Sequence, residues 1–191
     1  MKKIMIAVVC TLALTLCAAG AFAQADTLKV DYFANANSAG APDATVRLSN
    51  PGTNTNSPGN VCASIFVFDP MQEMSECCSC LLTPDGLRTL SVNADLTSNP
   101  LTGVTLTTGV VKIVSTWPLS GSTCPLPTTV NPLAALRSWA THIQNSNFAI
   151  TETSSQDATL GSVEIARLGK QCSSIKLVGS GKGVCSCGTG D

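Results

Sequence analysis

T-L-K-V-D-Y-F, residues 27–33, alternates apolar Leu28, Val30 and Tyr32 with Lys29 and Asp31. A-T-V-R-L-S-N, residues 44–50, sets Val46 and Leu48 on the two sides of Arg47. A period of two belongs to a strand with one face buried, so both stretches are predicted strands. V-C-A-S-I-F-V-F-D (61–69) is rich in β-branched and aromatic residues and predicts a central strand, ended by Asp69-Pro70. L-R-T-L-S-V-N-A-D-L (87–96) and G-V-V-K-I-V-S-T-W-P (109–118) predict two more, the second closed by Pro118. Turn formers separate them. P-G-T-N-T-N-S-P-G-N (51–60) and S-G-S-T-C-P-L-P (120–127) read as loops. T-P-D-G (83–86) places Pro84 and Gly86 where a β-turn wants them. L-T-G-V and T-T-G-V recur within 97–110, over too short a span for a repeat architecture.

Two regions change the period. Residues 131–143 admit a helix capped by Asn131, with Pro132 in its first turn and Leu133, Leu136, Ala140 and Ile143 on one face. They equally admit a strand carrying Trp139, Thr141 and Ile143. The strand is favoured, because T-H-I-Q-N-S-N-F-A-I-T-E-T (141–153) then forms a hairpin turning at Asn145–Asn147. From Asp157 to Val178, Leu160, Glu164, Leu168, Cys172 and Ile175 recur every three or four residues, which predicts an amphipathic helix. Gly169 weakens that helix, and G-S-G-K-G (179–183) stops it. V-C-S-C then predicts a short terminal strand at 184–188.

The chain begins M-K-K, continues with an apolar run, and reaches A-F-A at Ala21–Ala23. That is the pattern of a secretory signal peptide over residues 1–23, with cleavage after Ala23 or Ala25. Leu16 stands before Cys17 where a lipid anchor needs a small residue, and no later segment is apolar enough to span a bilayer. Residues 24–191 then form a single secreted domain with enough length for a core. Without Lys2 and Lys3, nine basic residues face twelve acidic ones, a net charge of −3. With aromatics at only 4%, this argues against nucleic acid as a partner.

Secretion changes how cysteine is read. Of ten cysteines, Cys10 and Cys17 leave with the signal. Cys62, Cys77, Cys78, Cys80, Cys124, Cys172, Cys185 and Cys187 remain, an even number in an oxidising compartment, so disulfides are expected. Three of them crowd into E-C-C-S-C (76–80), and C-S-C returns at 185–187. Zinc knuckles use cysteines two to four residues apart, against a spacing of one here. Cys77 and Cys80 form a C-x-x-C, but no βαβ unit surrounds it. On a strand Cys78 and Cys80 face one way and Cys77 the other, so Cys77 and Cys78 serve different partners. The two C-S-C segments are expected to lie close and share bonds. Cys172 is expected to tie the helix to Cys62, Cys77 or Cys124.

Other chemistry is sparse. His142 is the single histidine, and no G-x-S-x-G, H-E-x-x-H or Walker motif occurs. No cofactor is implied. Asp69, Glu73 and Glu76 offer hard oxygen ligands for calcium, without a D-x-D-x-D-G loop to organise them. G-S-G-K-G lacks the G-K-[ST] ending of a phosphate loop. Trp117 and Trp139 are the candidates for stacking on a carbohydrate.

A-T-V-R-L-S-N-P-G-T resembles the second strand of bacterial immunoglobulin-like domains. V-C-A-S-I-F-V-F-D, E-C-C-S-C, T-P-D-G-L, D-L-T-S-N-P-L-T-G and G-S-G-K-G-V-C-S-C-G together resemble secreted cysteine-rich proteins of acidobacterial type. The resemblance implies one secreted domain and no activity. The expected fold is therefore mainly β, an immunoglobulin-like β-sandwich with one C-terminal α-helix, disulfide-stapled. The expected role is a non-catalytic extracellular structural, adhesive or assembly protein, with edge strand 27–33 pairing to itself or another surface protein. A carbohydrate- or calcium-binding module and a secreted enzyme are the alternatives.

Overall fold

The computed structural model describes residues 27–120, 122–144, 146–178 and 185–190. The expected signal peptide of residues 1–23, the choice between its two expected cleavage points and the expected G-S-G-K-G stop lie outside the described residues. Ten strands occur in chain order: β1 Leu28–Phe33, β2 Thr45–Ser49, β3 Val61–Phe68, β4 Met74–Leu82, β5 Leu87–Ser91, β6 Gly109–Thr116, β7 Arg137–Gln144, β8 Ala149–Ser154, β9 Gln156–Ala158 and β10 Thr189–Gly190. A one-turn helix, α1 Val92–Asp95, follows β5, and α2 spans Ser162–Val178. The strands form two antiparallel sheets, ordered β4-β3-β6-β1-β9 and β10-β5-β2-β7-β8.

β3 is apolar but for Ser64 because both of its faces are covered; all eight of its residues are buried. Val61, Ala63, Ile65 and Val67 face the second sheet, meeting Val46, Leu48, Leu90 and Ala140 in the main core. Phe66 and Phe68 face the other way and meet Leu168, Cys172 and Ile175 of α2. The molecule thus has three layers, with the first sheet in the middle. Glu164 anchors α2, accepting from Lys112 of β6 at 2.6 Å and from Arg167 at 2.8 Å. The Arg167 hydrogen bonds, aided by Lys112, lower the Glu164 carboxyl to about 2. Both cations also lie 5.3 Å from the centre of the Phe68 ring.

Several expectations change. The strand expected over 87–96 breaks at Ser91, whose hydroxyl accepts the Ala94 N–H while Asp95 accepts the Ser91 N–H. This reciprocal capping turns the chain into α1. Of the two readings of 131–143, the strand holds from Arg137 onward, and its hairpin with β8 runs Gln144↔Ala149 to Trp139↔Ser154. The helix begins at Ser162 rather than 157, because Gln156–Ala158 pair with β1 as β9. Cys185–Gly188 are not a strand; the ladder starts at Thr189. Strand 27–33 is not an edge, since β1 lies between β6 and β9. Among the described residues β8 is the outer strand exposed along its whole length, beside the shorter and partly exposed β9. No helix among the described residues is long and apolar enough to cross a membrane.

Candidate functional site

β4 organises the cysteines. In its register with β3, Cys77 stands opposite Phe66, Cys78 opposite Ile65 and Cys80 opposite Ala63. Phe66 faces the helix, whereas Ile65 and Ala63 face the second sheet, so Cys77 and Cys78 diverge as the strand period requires. Cys77 is bonded to Cys172 of α2, with Cα atoms 5.7 Å apart. Cys78 is bonded to Cys185 and Cys80 to Cys187, at Cα separations of 5.2 and 5.4 Å. Cys62 of β3 is bonded to Cys124 at 5.7 Å. The two C-S-C segments therefore share two bonds, and the helix uses Cys77 of its three candidates.

This pairing explains why Cys185–Gly188 form no strand. The Cys78 and Cys80 side chains leave the face of their sheet, so a bonded partner lies across that face and not along its edge. Beyond Cys187 the chain turns at Gly188, φ 59°, where an added Cβ would run into the Thr89 carbonyl. Thr189 and Gly190 then pair with Thr89 and Arg88 of β5. The tail belongs to the second sheet by hydrogen bonds and to the first by disulfides.

As a metal centre the cluster is spent. The sulfurs of Cys78, Cys80 and Cys187 lie within 4.8 Å of one another. All three are already in disulfides, and the thiolate is the metal ligand. Nor do Cys77 and Cys80 make a redox pair, since they sit on opposite faces of β4.

The three carboxylates do not converge. Asp69 Oδ1 accepts the N–H groups of Met71 and Glu73, both at 2.9 Å, and so builds the β3–β4 turn. Glu73 lines a recess of about 220 Å³ under α2. Glu76, opposite Val67, points between the sheets and is 2% exposed. Burial, with the nearby Asp95 adding to it, raises its carboxyl to about 8 against hydrogen bonds from Ser98 that lower it. Of the tryptophans, Trp139 is half-buried opposite Arg47 and Ser154. Trp117 is half-buried beside Asn54, Asn56 and Asn60 in a recess of about 150 Å³.

His142 marks a site that sequence reasoning did not assemble. β9 covers β1 only from Leu28 to Val30, which leaves Asp31–Phe33 without a ladder partner on that side among the described residues. Asp31 fills the gap: its Oδ1 accepts the Tyr32 N–H at 2.9 Å and lies 3.3 Å from His142 Nε2. Its Oδ2 accepts the Ser155 hydroxyl at 2.7 Å. His142 Nε2 also lies 2.9 Å from Thr153 Oγ1, while Nδ1 is buried with no hydrogen-bond partner among the described residues. The Tyr32 ring stacks on His142, centroids 4.4 Å apart. Asp31, Tyr32, His142 and Thr153, with Val30, Val110, Ser154 and Gln156, line a recess of about 240 Å³. One signal was present in the sequence, a charged pair, Lys29 and Asp31, inside a strand. The partners of Asp31 come from β7 and from Ser155 beyond β8, more than a hundred residues away.

Comparison with protein-family models, with curated proteins and with solved structures finds no match.

Proposed function

We propose that this chain is a non-catalytic extracellular protein that acts by assembly or adhesion, with β8 as its contact edge. The carrying observation is β8 itself: all six residues are exposed, and among the described residues β7 is its only neighbour in the sheet. Its unpaired backbone edge is a template for another strand. Four disulfides suit an oxidising compartment and hold the sandwich rigid behind that edge. The histidine site does not favour catalysis. In a hydrolytic triad the acid orients Nδ1 and the hydroxyl meets Nε2. Here Asp31 and Thr153 both address Nε2.

Sedimentation velocity and electron microscopy of the mature protein over a wide concentration range test this reading. Oligomers or fibres are expected from the wild type. Ile150→Lys, which places a charge on an edge residue already 59% exposed, is expected to keep the chain monomeric. A wild type that stays monomeric at every concentration contradicts self-assembly.

A further inference from the structure

The recess beside β1 is built around an anion that the described residues leave without a permanent cation. Asp31 is 6% exposed, and the ion pair it makes is with His142, which is charged only when protonated. Lys29, two residues away on the same strand, is engaged with Asp157, and no Lys or Arg lines the recess among the described residues. A buried carboxylate draws strength from a cationic partner, because screening by water is weak there. Beside it stands Tyr32, the one tyrosine, 51% exposed although one ring face rests on His142. An aromatic face next to a carboxylate attracts an organic cation twice, through the ring quadrupole and through the charge. Val30 and Val110 supply apolar wall, and Thr153, Ser154 and Gln156 supply polar groups. At about 240 Å³ the recess lies below the ~300 Å³ at which drug-sized ligand pockets begin, so the occupant is compact.

We propose that this recess binds a small aliphatic ammonium group, held by the Asp31 carboxylate and the Tyr32 ring. A phosphate or carboxylate ligand is disfavoured by Asp31. A neutral apolar ligand leaves the carboxylate without the partner that distinguishes this recess from an ordinary dimple. A free amine and a lysine side chain present the same head. The recess adjoins the β8 edge through Thr153 and Ser154, but ligand binding here and strand pairing there are read by separate measurements.

The test is a titration of the mature protein followed by NMR of the Tyr32 and His142 ring protons, with n-butylammonium as probe and n-butanol as its neutral counterpart. Saturable shifts at those two rings are expected with n-butylammonium in the millimolar range, on the order expected for a single small group. They are expected to be absent with n-butanol. Asp31→Asn, which keeps the side-chain shape and an acceptor for Ser155, is expected to weaken binding by about tenfold or more. Should that variant fold poorly, Tyr32→Ala at a half-exposed position serves instead, and it too is expected to weaken binding several-fold. Nα-acetyl-lysine amide separates the two sources: tighter binding than n-butylammonium identifies a lysine side chain, equal binding a free amine. Equal affinity for n-butanol and n-butylammonium overturns the proposal, as does the absence of saturable shifts or an affinity unchanged in both variants.

Discussion

Glu76 carries the largest pH-dependent cost in the sandwich interior. Its carboxyl sits between the sheets with Oε2 unpartnered among the described residues, and burial raises it from 4.5 to about 8. Below pH 4.5 both folded and unfolded chains hold the proton, so the residue adds no pH dependence. Between 4.5 and about 8 the unfolded chain releases it while the folded chain keeps it, and stability falls as pH rises. The accumulated loss above pH 8 is on the order of 5 kcal/mol. Glu164 acts in the opposite window: lowered to about 2, it contributes stability above 4.5 that is lost as pH falls toward 2. Glu76→Gln is therefore expected to flatten the decline between pH 4.5 and 8 and to raise the thermal midpoint at pH 9, leaving the acid limb unchanged. Thermal melts of both proteins across pH check this; identical alkaline limbs would contradict it. Other single residues show where sequence reading stops. Lys29 and Asp31 look like the solvent face of an amphipathic strand, yet both are buried. The reason is that β1 lies in the middle layer, with Leu28 against the helix and Phe33 against the second sheet.

Among elements, β4 and the tail share the decisive interaction, and the disulfides of the domain are not energetically equal. Chain entropy ranks a crosslink by the loop it closes when the other bonds are already in place. Cys62–Cys124 closes 62 residues, worth about 4 kcal/mol. Cys77–Cys172, once Cys78–Cys185 exists, closes only a short loop through the tail and is worth about 3 kcal/mol. Cys80–Cys187 adds a tight ring beside its neighbour, worth about 2 kcal/mol. Denaturant unfolding of the three paired Cys→Ala variants is expected to follow that order, and a larger loss from the 80–187 pair would contradict it. The opposed faces of Cys77 and Cys78 were legible, because the strand period alone sets them. So was α2, from its three- and four-residue spacing. Gly169 counted against that helix only because its neighbour was unseen: a Cβ there would lie 2.5 Å from the Thr128 carbonyl oxygen. The start of α2 was misplaced because β9, three residues long, is too short to show a period. The break at Ser91 is a capping geometry inside an otherwise strand-like run.

At the scale of the whole molecule, the tail is what turns two sheets and a helix into one closed body. The chain's last described segment hydrogen-bonds to β5 and is doubly bonded to β4, on the side away from β8. One side of the sandwich is thus sealed covalently, and the other offers an open edge and the Asp31–His142 recess. The sandwich class was readable from short strands and turns. Which strand stands at the open edge was not, because strand order is fixed by pairings far apart in sequence. The most direct test of this architecture is a disulfide map of the unreduced protein by peptide mass spectrometry, with fragmentation inside E-C-C-S-C. The account predicts a gain of about 8 mass units on reduction, with Cys77 joined to Cys172, Cys78 to Cys185, Cys80 to Cys187 and Cys62 to Cys124. Free thiols at Cys185 and Cys187, or a tail bonded to Cys77 in place of Cys78 and Cys80, would contradict it.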